Sequence, residues 1–219
     1  TAQLLLSSAV DKKVPKEMKG CVTLVVPWLT DPADRLMLYG SATVGNLDSG
    51  ETVQLPMFAN QEEQEAYIRS WLEGEAGMPE EAKELKILFY PARYHKSYVS
   101  IFASEDIIDL IPDESADVCI LEEPEHLNWY RAPGSSSWSS KFSHCVGVIH
   151  TNYKAYARDH ARAGFVAAPL LAGVNSLVVQ ANCHRVVKLS GVLQEFGSMS
   201  ECVENVHGIR QTFLKEGKR

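Results

Sequence analysis

Residues 121–130 read LEEPEHLNWY and place Glu122, Glu123, Glu125 and His126 within five positions, around Pro124 and just ahead of Trp129 and Tyr130. Acids and an imidazole gathered at one point can hydrogen-bond a polar ligand, and a carboxylate can also act as a nucleophile. A second polar group, His150, Thr151 and Asn152, closes the apolar run HCVGVI at 144–149. Each group also has a structural reading. Glu122 and Glu123 fit a solvated turn, and a single histidine at a strand end is commonly a capped structural residue. Thr151 or Asn152 fits a helix N-cap, and Trp129 and Tyr130 fit a core.

The elements that must position these residues follow from hydrophobic patterning. The segments CVTLVVP (21–27), LKILFYPARY (85–94), ADVCILEEP (116–124), SHCVGVIH (143–150), HRVVKLS (184–190) and CVENVHG (202–208) read as strands. Between them, ANQEEQEAYIRSWLEGEAG is a helix, with Asn60 and Glu63 at the spacing of a cap and its partner acid. Tyr67, Ile68, Trp71 and Leu72 form its apolar stripe. TAQLLLSSAVDKK, EDIIDLIPDES (ended by Pro112), TNYKAYARDHARAG and APLLAGVNSLVVQANC are further helices. Residues 30–59 read as an irregular excursion, and GSSSWSS (134–140) as a mobile loop.

Strands alternating with helices predict a doubly wound, Rossmann-like α/β fold with a parallel sheet covered on both faces. Ligands of such sheets sit beyond the carboxyl ends of the strands. If 116–121 and 143–149 are parallel neighbours, Glu122, Glu123 and His126 share one rim with His150, Thr151 and Asn152.

Bulk properties narrow the classes. The chain has 219 residues, 45% hydrophobic and 22% charged, with a formal net charge of −7. That composition is globular, and the charge gives no support for a nucleic-acid partner. No apolar run reaches the roughly 18 residues of a membrane span. Of the short apolar pieces, VPWL (26–29) and FVAAPLLAGV (165–174) are the candidates for touching a membrane surface, with burial in a core as the favoured reading of both. Cys21, Cys119, Cys145, Cys183 and Cys202 are odd in number, never CxxC, and read as buried thiols. His95, His144, His160 and His184 lack metal-ligand spacing and read as structural. There is no GxSxG, Walker A or HExxH motif.

The segments ADVCILEEPEHLNWY, HCVGVIHTNYKAY, CHRVVKLS and VENVHGIRQTFL resemble the digalactosyldiacylglycerol synthases of plastids, in that family's order. VTLVVPWL and NQEEQEAYIRSWL resemble its earlier part. The resemblance implies a retaining galactosyltransferase of the GT-B fold, which moves galactose from UDP-galactose to the 6-hydroxyl of monogalactosyldiacylglycerol in the chloroplast outer envelope. UDP-galactose is then a donor substrate; no cofactor and no metal is implied. His150 matches the histidine that contacts the donor sugar in related enzymes. Glu122, Glu123 and His126 match the acceptor side, and Trp129 or Tyr130 offers an apolar face to sugar or glycerol. Asn205, His207 and Gly208 match the passage toward a second domain. On this reading residues 1–208 are an acceptor-side domain lacking its first strand, and 209–219 begin the crossover to an absent nucleotide-sugar domain. Retention of configuration runs either through a carboxylate intermediate, which the Glu122/Glu123 pair permits, or by same-face attack, which the family favours. Three other readings stay open: a galactolipid-binding module without activity, a single-domain α/β protein that binds a small molecule or partner with its rim residues structural, and a glycosyltransferase with another acceptor.

Overall fold

A computed structural model describes residues 22–45, 52–129, 131, 134–160, 164–197 and 200–204. The expected first helix, Cys21, Tyr130, Asn205, His207, Gly208 and the proposed crossover at 209–219 lie outside the described residues. The chain divides into two compact units, residues 1–105 and 106–219.

In the first unit, β1 (Thr23–Leu29) pairs in parallel with β4 (Lys86–His95), and β5 (Ser100–Ala103) closes against β4 in antiparallel register. The sequence reading gave β1 and β4 but no β5. The stretch 30–59, expected to be irregular, contains helix α1 (Pro32–Tyr39) and a two-stranded antiparallel ribbon of β2 (Ser41–Gly45) and β3 (Thr52–Pro56). Asp31 starts α1 by accepting the Ala33 N–H at 2.8 Å, with Pro32 preset for the first turn. Buried Arg35 then donates to the carbonyls of Leu29, Thr30 and Phe58, and its guanidinium lies 4.4 Å from the centre of the Trp28 ring.

Helix α2 (Gln61–Glu73) begins as its spacing predicts. Asn60 accepts the Glu63 N–H at 2.9 Å, and Glu63 accepts the Ala59 N–H at 2.8 Å. The apolar stripe is split, however: Ile68 and Leu72 turn inward, whereas Tyr67 and Trp71 are exposed. Buried Gln64 occupies the inward line instead, donating to the Pro27 carbonyl at 3.2 Å. Helix α3 (Pro79–Glu84) follows and leads into β4.

The second unit carries a four-stranded parallel sheet in the order β6 (Val118–Glu122), β7 (His144–Ile149), β8 (Arg185–Lys188), β9 (Ser200–Val203). This is the α/β, Rossmann-like character that the alternating pattern predicts; the strand order is sequential, without a reversal among these four. Helices α4 (Pro124–Leu127) and α5 (Trp138–Lys141) connect β6 to β7, and α6 (Tyr153–His160) and α7 (Gly164–Asn182) connect β7 to β8. Leu121, Cys145, Val148, Ile149, Val179, Val186 and Phe196 are buried at 7% exposure or less. Their removal from water is the main source of this unit's stability.

Two local expectations change here. The serine-rich stretch, expected as a mobile loop, is anchored at residues 137–139. Ser137 caps α5, Trp138 is buried with its N–H donating to Asn182, and the Ser139 hydroxyl donates to the Ala181 carbonyl at 2.8 Å. The short helix expected in EDIIDLIPDES, ended by Pro112, is a 3₁₀ turn at 107–110, and a second 3₁₀ turn follows at 113–115.

Candidate functional site

The parallel pairing of β6 with β7 brings Glu122 level with Val148, so the residues after both strands emerge at one rim. Glu123 leaves β6 in a left-handed conformation, φ 56° and ψ 63°. A glutamate rarely adopts it, and a following proline makes helical backbone still less favourable. Strain of about 1–3 kcal/mol is typical of such a residue and must be offset by its surroundings. The Glu123 N–H donates to the Val148 carbonyl at 2.9 Å, and Pro124 is preset for the first turn of α4.

The consequence is a compact polar group. His150 Nδ1 lies 3.2 Å from Glu123 Oε1, and its Nε2 lies 3.7 Å from Glu122 Oε2. The other Glu123 oxygen accepts a 2.7 Å hydrogen bond from the Tyr153 hydroxyl. The two acids differ in setting, with side-chain exposures of 53% for Glu122 and 16% for Glu123. Glu122 is the open carboxylate; Glu123 is recessed, hydrogen-bonded through one oxygen only, while the other lies near His150 Nδ1 without a hydrogen bond. Burial, reinforced by the bond to the Glu123 carboxylate, raises the pKa of the Tyr153 phenol, so it stays a hydrogen donor.

Thr151 also hydrogen-bonds Tyr153. Asn152 has the capping role: its Oδ1 accepts the Ala155 N–H at 3.0 Å, and its Nδ2 donates to the Val192 carbonyl at 3.0 Å. His126 and Trp129 form a layer behind Tyr153. Their rings meet edge-on with centres 5.0 Å apart, and Trp129 meets Tyr153 at 4.7 Å. Trp129 is fixed by its Nε1–H, which donates to Asn175 of α7 at 3.1 Å. Burial holds the His126 imidazole below its usual pKa, partly opposed by the charge of Glu123.

Three residues of this site were given no role from the sequence, although Glu125 was noted as part of the acidic run. Tyr153 is the first residue of α6, three positions past His150, and that spacing was its only signal. Glu125 is 1% exposed, and burial, with help from the Glu123 charge, pushes its carboxyl up to about 7. Nothing in a run of four acids and imidazoles tells which one turns inward. Gly147 is the third: a Cβ there would lie 2.8 Å from both Cys183 Sγ and Pro124 Cγ. Glycine lets β7 approach the turn that carries Glu123.

Chemically, the group is an imidazole close to a recessed carboxylate, with an open carboxylate beside it. It can direct hydrogen bonds at a hydroxyl-rich ligand. It offers no thiol nucleophile, since burial pushes Cys119 and Cys183 up to about 12 and Cys145 to about 11. Among the described residues, no group of three or more His, Cys, Asp or Glu is placed to hold a metal ion.

No family model matches the chain. Individual proteins do. It is 41% identical over 201 residues to digalactosyldiacylglycerol synthase 1, chloroplastic, of Glycine max, a match covering 92% of this chain and 23% of that protein. It is 39% identical over 198 residues to digalactosyldiacylglycerol synthase 2, chloroplastic, of Arabidopsis thaliana, covering 90% of this chain and 37% of that protein. The corresponding synthase 2 of Lotus japonicus is 37% identical over 204 residues, covering 93% and 39%. The chain thus spans between about a quarter and two fifths of the length of these relatives. The resemblance drawn from the sequence is therefore shown: this chain is a digalactosyldiacylglycerol synthase-like sequence that corresponds to a portion of those proteins.

Proposed function

We infer that this chain supplies the acceptor side of a retaining GT-B galactosyltransferase, which moves galactose from UDP-galactose to monogalactosyldiacylglycerol at the chloroplast outer envelope. The observation that carries the reading is the contact of His150 with Glu122 and Glu123 at the carboxyl rim of a parallel sheet, in a chain similar to named digalactosyldiacylglycerol synthases. A doubly wound sheet completed by further strands, and a second domain that grips the nucleotide, belong to the same proposal.

In this scheme the bond from the anomeric carbon to the UDP oxygen breaks with its electron pair leaving on UDP. The acceptor 6-hydroxyl oxygen bonds to that carbon on the same face, and its proton passes to the departing phosphate. His150 positions the donor sugar and supports the charge that develops at its carbon. Glu123, 3.2 Å from His150 Nδ1, orients the imidazole electrostatically, which leaves Nε2 facing the ligand side. Glu122, the open carboxylate, accepts hydrogen bonds from acceptor hydroxyls. Trp129 backs Tyr153 and carries no reacting group.

The division of roles between the two acids sets the test. The full-length protein is assayed with UDP-galactose and monogalactosyl lipid. His150→Ala is expected to lower kcat by at least about tenfold, roughly 1.4 kcal/mol of barrier. Glu123→Gln should also lower kcat, but should add little in the His150→Ala background, because it acts through His150. Glu122→Gln should raise the KM for the acceptor and add fully to His150→Ala. Wild-type turnover in His150→Ala would refute the site. Product formed only with a different acceptor would keep the fold class and reject the galactolipid.

A further inference from the structure

The turn that carries Glu123 holds a second acid, which the reaction scheme above does not use. Glu125 lies two residues on, in helix α4, and is 1% exposed. An ionised carboxylate in such a place is costly unless hydrogen donors or a cation meet it. The two acids are met very differently. Glu123 has the Tyr153 hydroxyl on one oxygen at 2.7 Å and His150 Nδ1 at 3.2 Å from the other. Glu125 has its own backbone N–H, and its Oε2 accepts no hydrogen bond.

Helix α4 packs against β6, β7 and α7. On its own turn the titratable groups are Glu123 and His126, and burial holds His126 toward its neutral form. Strand β6 brings Cys119 and Glu122; β7 brings His144 and Cys145 and leads to His150. Helix α7 has no Asp, Glu, Lys or Arg and leads to Cys183, on which the Glu125 charge acts. From α6, Tyr153 feels the charges of both Glu123 and Glu125. Arg131, which reaches Asn128 at the end of α4, is paired with Asp106. Among the described residues, no cation is paired with Glu125. The turn is also packed down on β7, since a Cβ at Gly147 would lie 2.8 Å from Pro124 Cγ and Cys183 Sγ. Two carboxylates that share such a place without a cation do not both ionise readily, and the proton goes to the one with fewer donors. That one is Glu125. Consistently, burial, with help from the Glu123 charge, pushes its carboxyl up to about 7.

We propose that Glu125 is a positioning residue for the transfer reaction: while it holds its proton, Glu123 keeps its place between Tyr153 and His150, and when it loses the proton, repulsion between the two acids releases Glu123 and with it the orientation of His150. This rests on the galactosyltransferase reading above and adds a regulation to it. The ordered arrangement belongs to neutral Glu125, so it prevails on the acid side and fades as pH rises through neutrality. Glu125 touches no substrate in this scheme and acts only through Glu123.

The test uses the full-length protein with UDP-galactose and detergent-dispersed monogalactosyl lipid. Wild-type kcat should fall at least about tenfold between about pH 6 and pH 8.5, as one group near neutrality loses its proton. Glu125→Gln and Glu125→Met carry no charge at this position, so the fall should be absent from the profile of each, whatever its level at the acid end. A fall of the same size in wild type and in a folded variant overturns the proposal, and so does a flat wild-type profile. The independent readout is the nuclear magnetic resonance signal of the His150 ring in the ligand-free protein, labelled on histidine and assigned with His150→Gln. In wild type that signal should follow two titrations, its own and that of Glu125; in the neutral variants it should follow one. A wild-type signal that follows a single titration overturns the proposal without any variant. If wild type transfers no galactose at any pH, the galactosyltransferase reading fails, and the His150 signal by itself decides the role of Glu125.

Discussion

Replacing Glu125 by Gln gives a sharp test of the interior of this site. The folded carboxyl has a pKa near 7, against an ordinary value of 4.5. Burial is the main cause, and the Glu123 charge adds to it. The folded state therefore holds the Glu125 proton more tightly than the unfolded chain does. Between about pH 4.5 and 7 the folded form carries more protons, so stability falls as pH rises through that window. The difference of about 2.5 pKa units amounts to about 3 kcal/mol lost by pH 8 and none lost below pH 4.5. Glutamine has nearly the same shape and no charge, so it removes the loss. One Glu125 oxygen accepts no hydrogen bond, and an amide NH₂ placed there gains no partner from it, which adds a destabilising offset of about 1–3 kcal/mol. That offset is the same at every pH. The quantity to measure is the change of the variant-minus-wild-type difference, from denaturant midpoints at pH 4.5, 6 and 8. An upward slope of about 3 kcal/mol for the variant is expected. Parallel curves would refute the argument and would mean that Glu125 is ionised in the fold or reached by water.

Three further substitutions probe the supports of the site. Gly147→Ala should destabilise by about 1–3 kcal/mol, because the new methyl lies 2.8 Å from Cys183 Sγ and Pro124 Cγ; an unchanged melting temperature would show that the β7–α4 approach is loose. Asn152→Ala should cost about 1 kcal/mol of stability through loss of the α6 cap, with the acceptor KM unchanged; a large rise in KM would make it a ligand contact. Tyr153→Phe frees one Glu123 oxygen and should lower kcat with little change in the acceptor KM; a purely structural role would lower the melting temperature and leave kcat alone.

How far the sequence could be read depended on the kind of signal. The strands of the second unit were legible because their apolar runs are bounded by prolines, acids and polar turns, and their parallel pairing follows from the helices between them. That logic placed Glu122, Glu123 and His150 at one rim, where they do meet. The hairpin strand β5 and the ribbon of β2 and β3 carry no such runs, so tertiary pairing alone creates them. Glu123 is the clearest limit. Its left-handed backbone aims its side chain at His150 and Tyr153, and no residue-type rule predicts that conformation for a glutamate before proline.

Helix α7 marks a different limit. Its composition is that of a core helix, and burial was the better reading of 165–174 on composition alone. The asparagines decide otherwise. Once Asn175 and Asn182 are bound to Trp129 and Trp138, the rotation of the helix is fixed, and that rotation turns Val166, Leu170, Val174 and Leu177 outward. An apolar residue facing out on an ordinary helix costs little and is common. A whole face of them, chosen while two amides occupy the interior, is costly unless something covers it. The hydrogen bonds of Asn175 and Asn182, the first securing Trp129 behind the candidate site, are thus the same bonds that commit the helix to an apolar exterior.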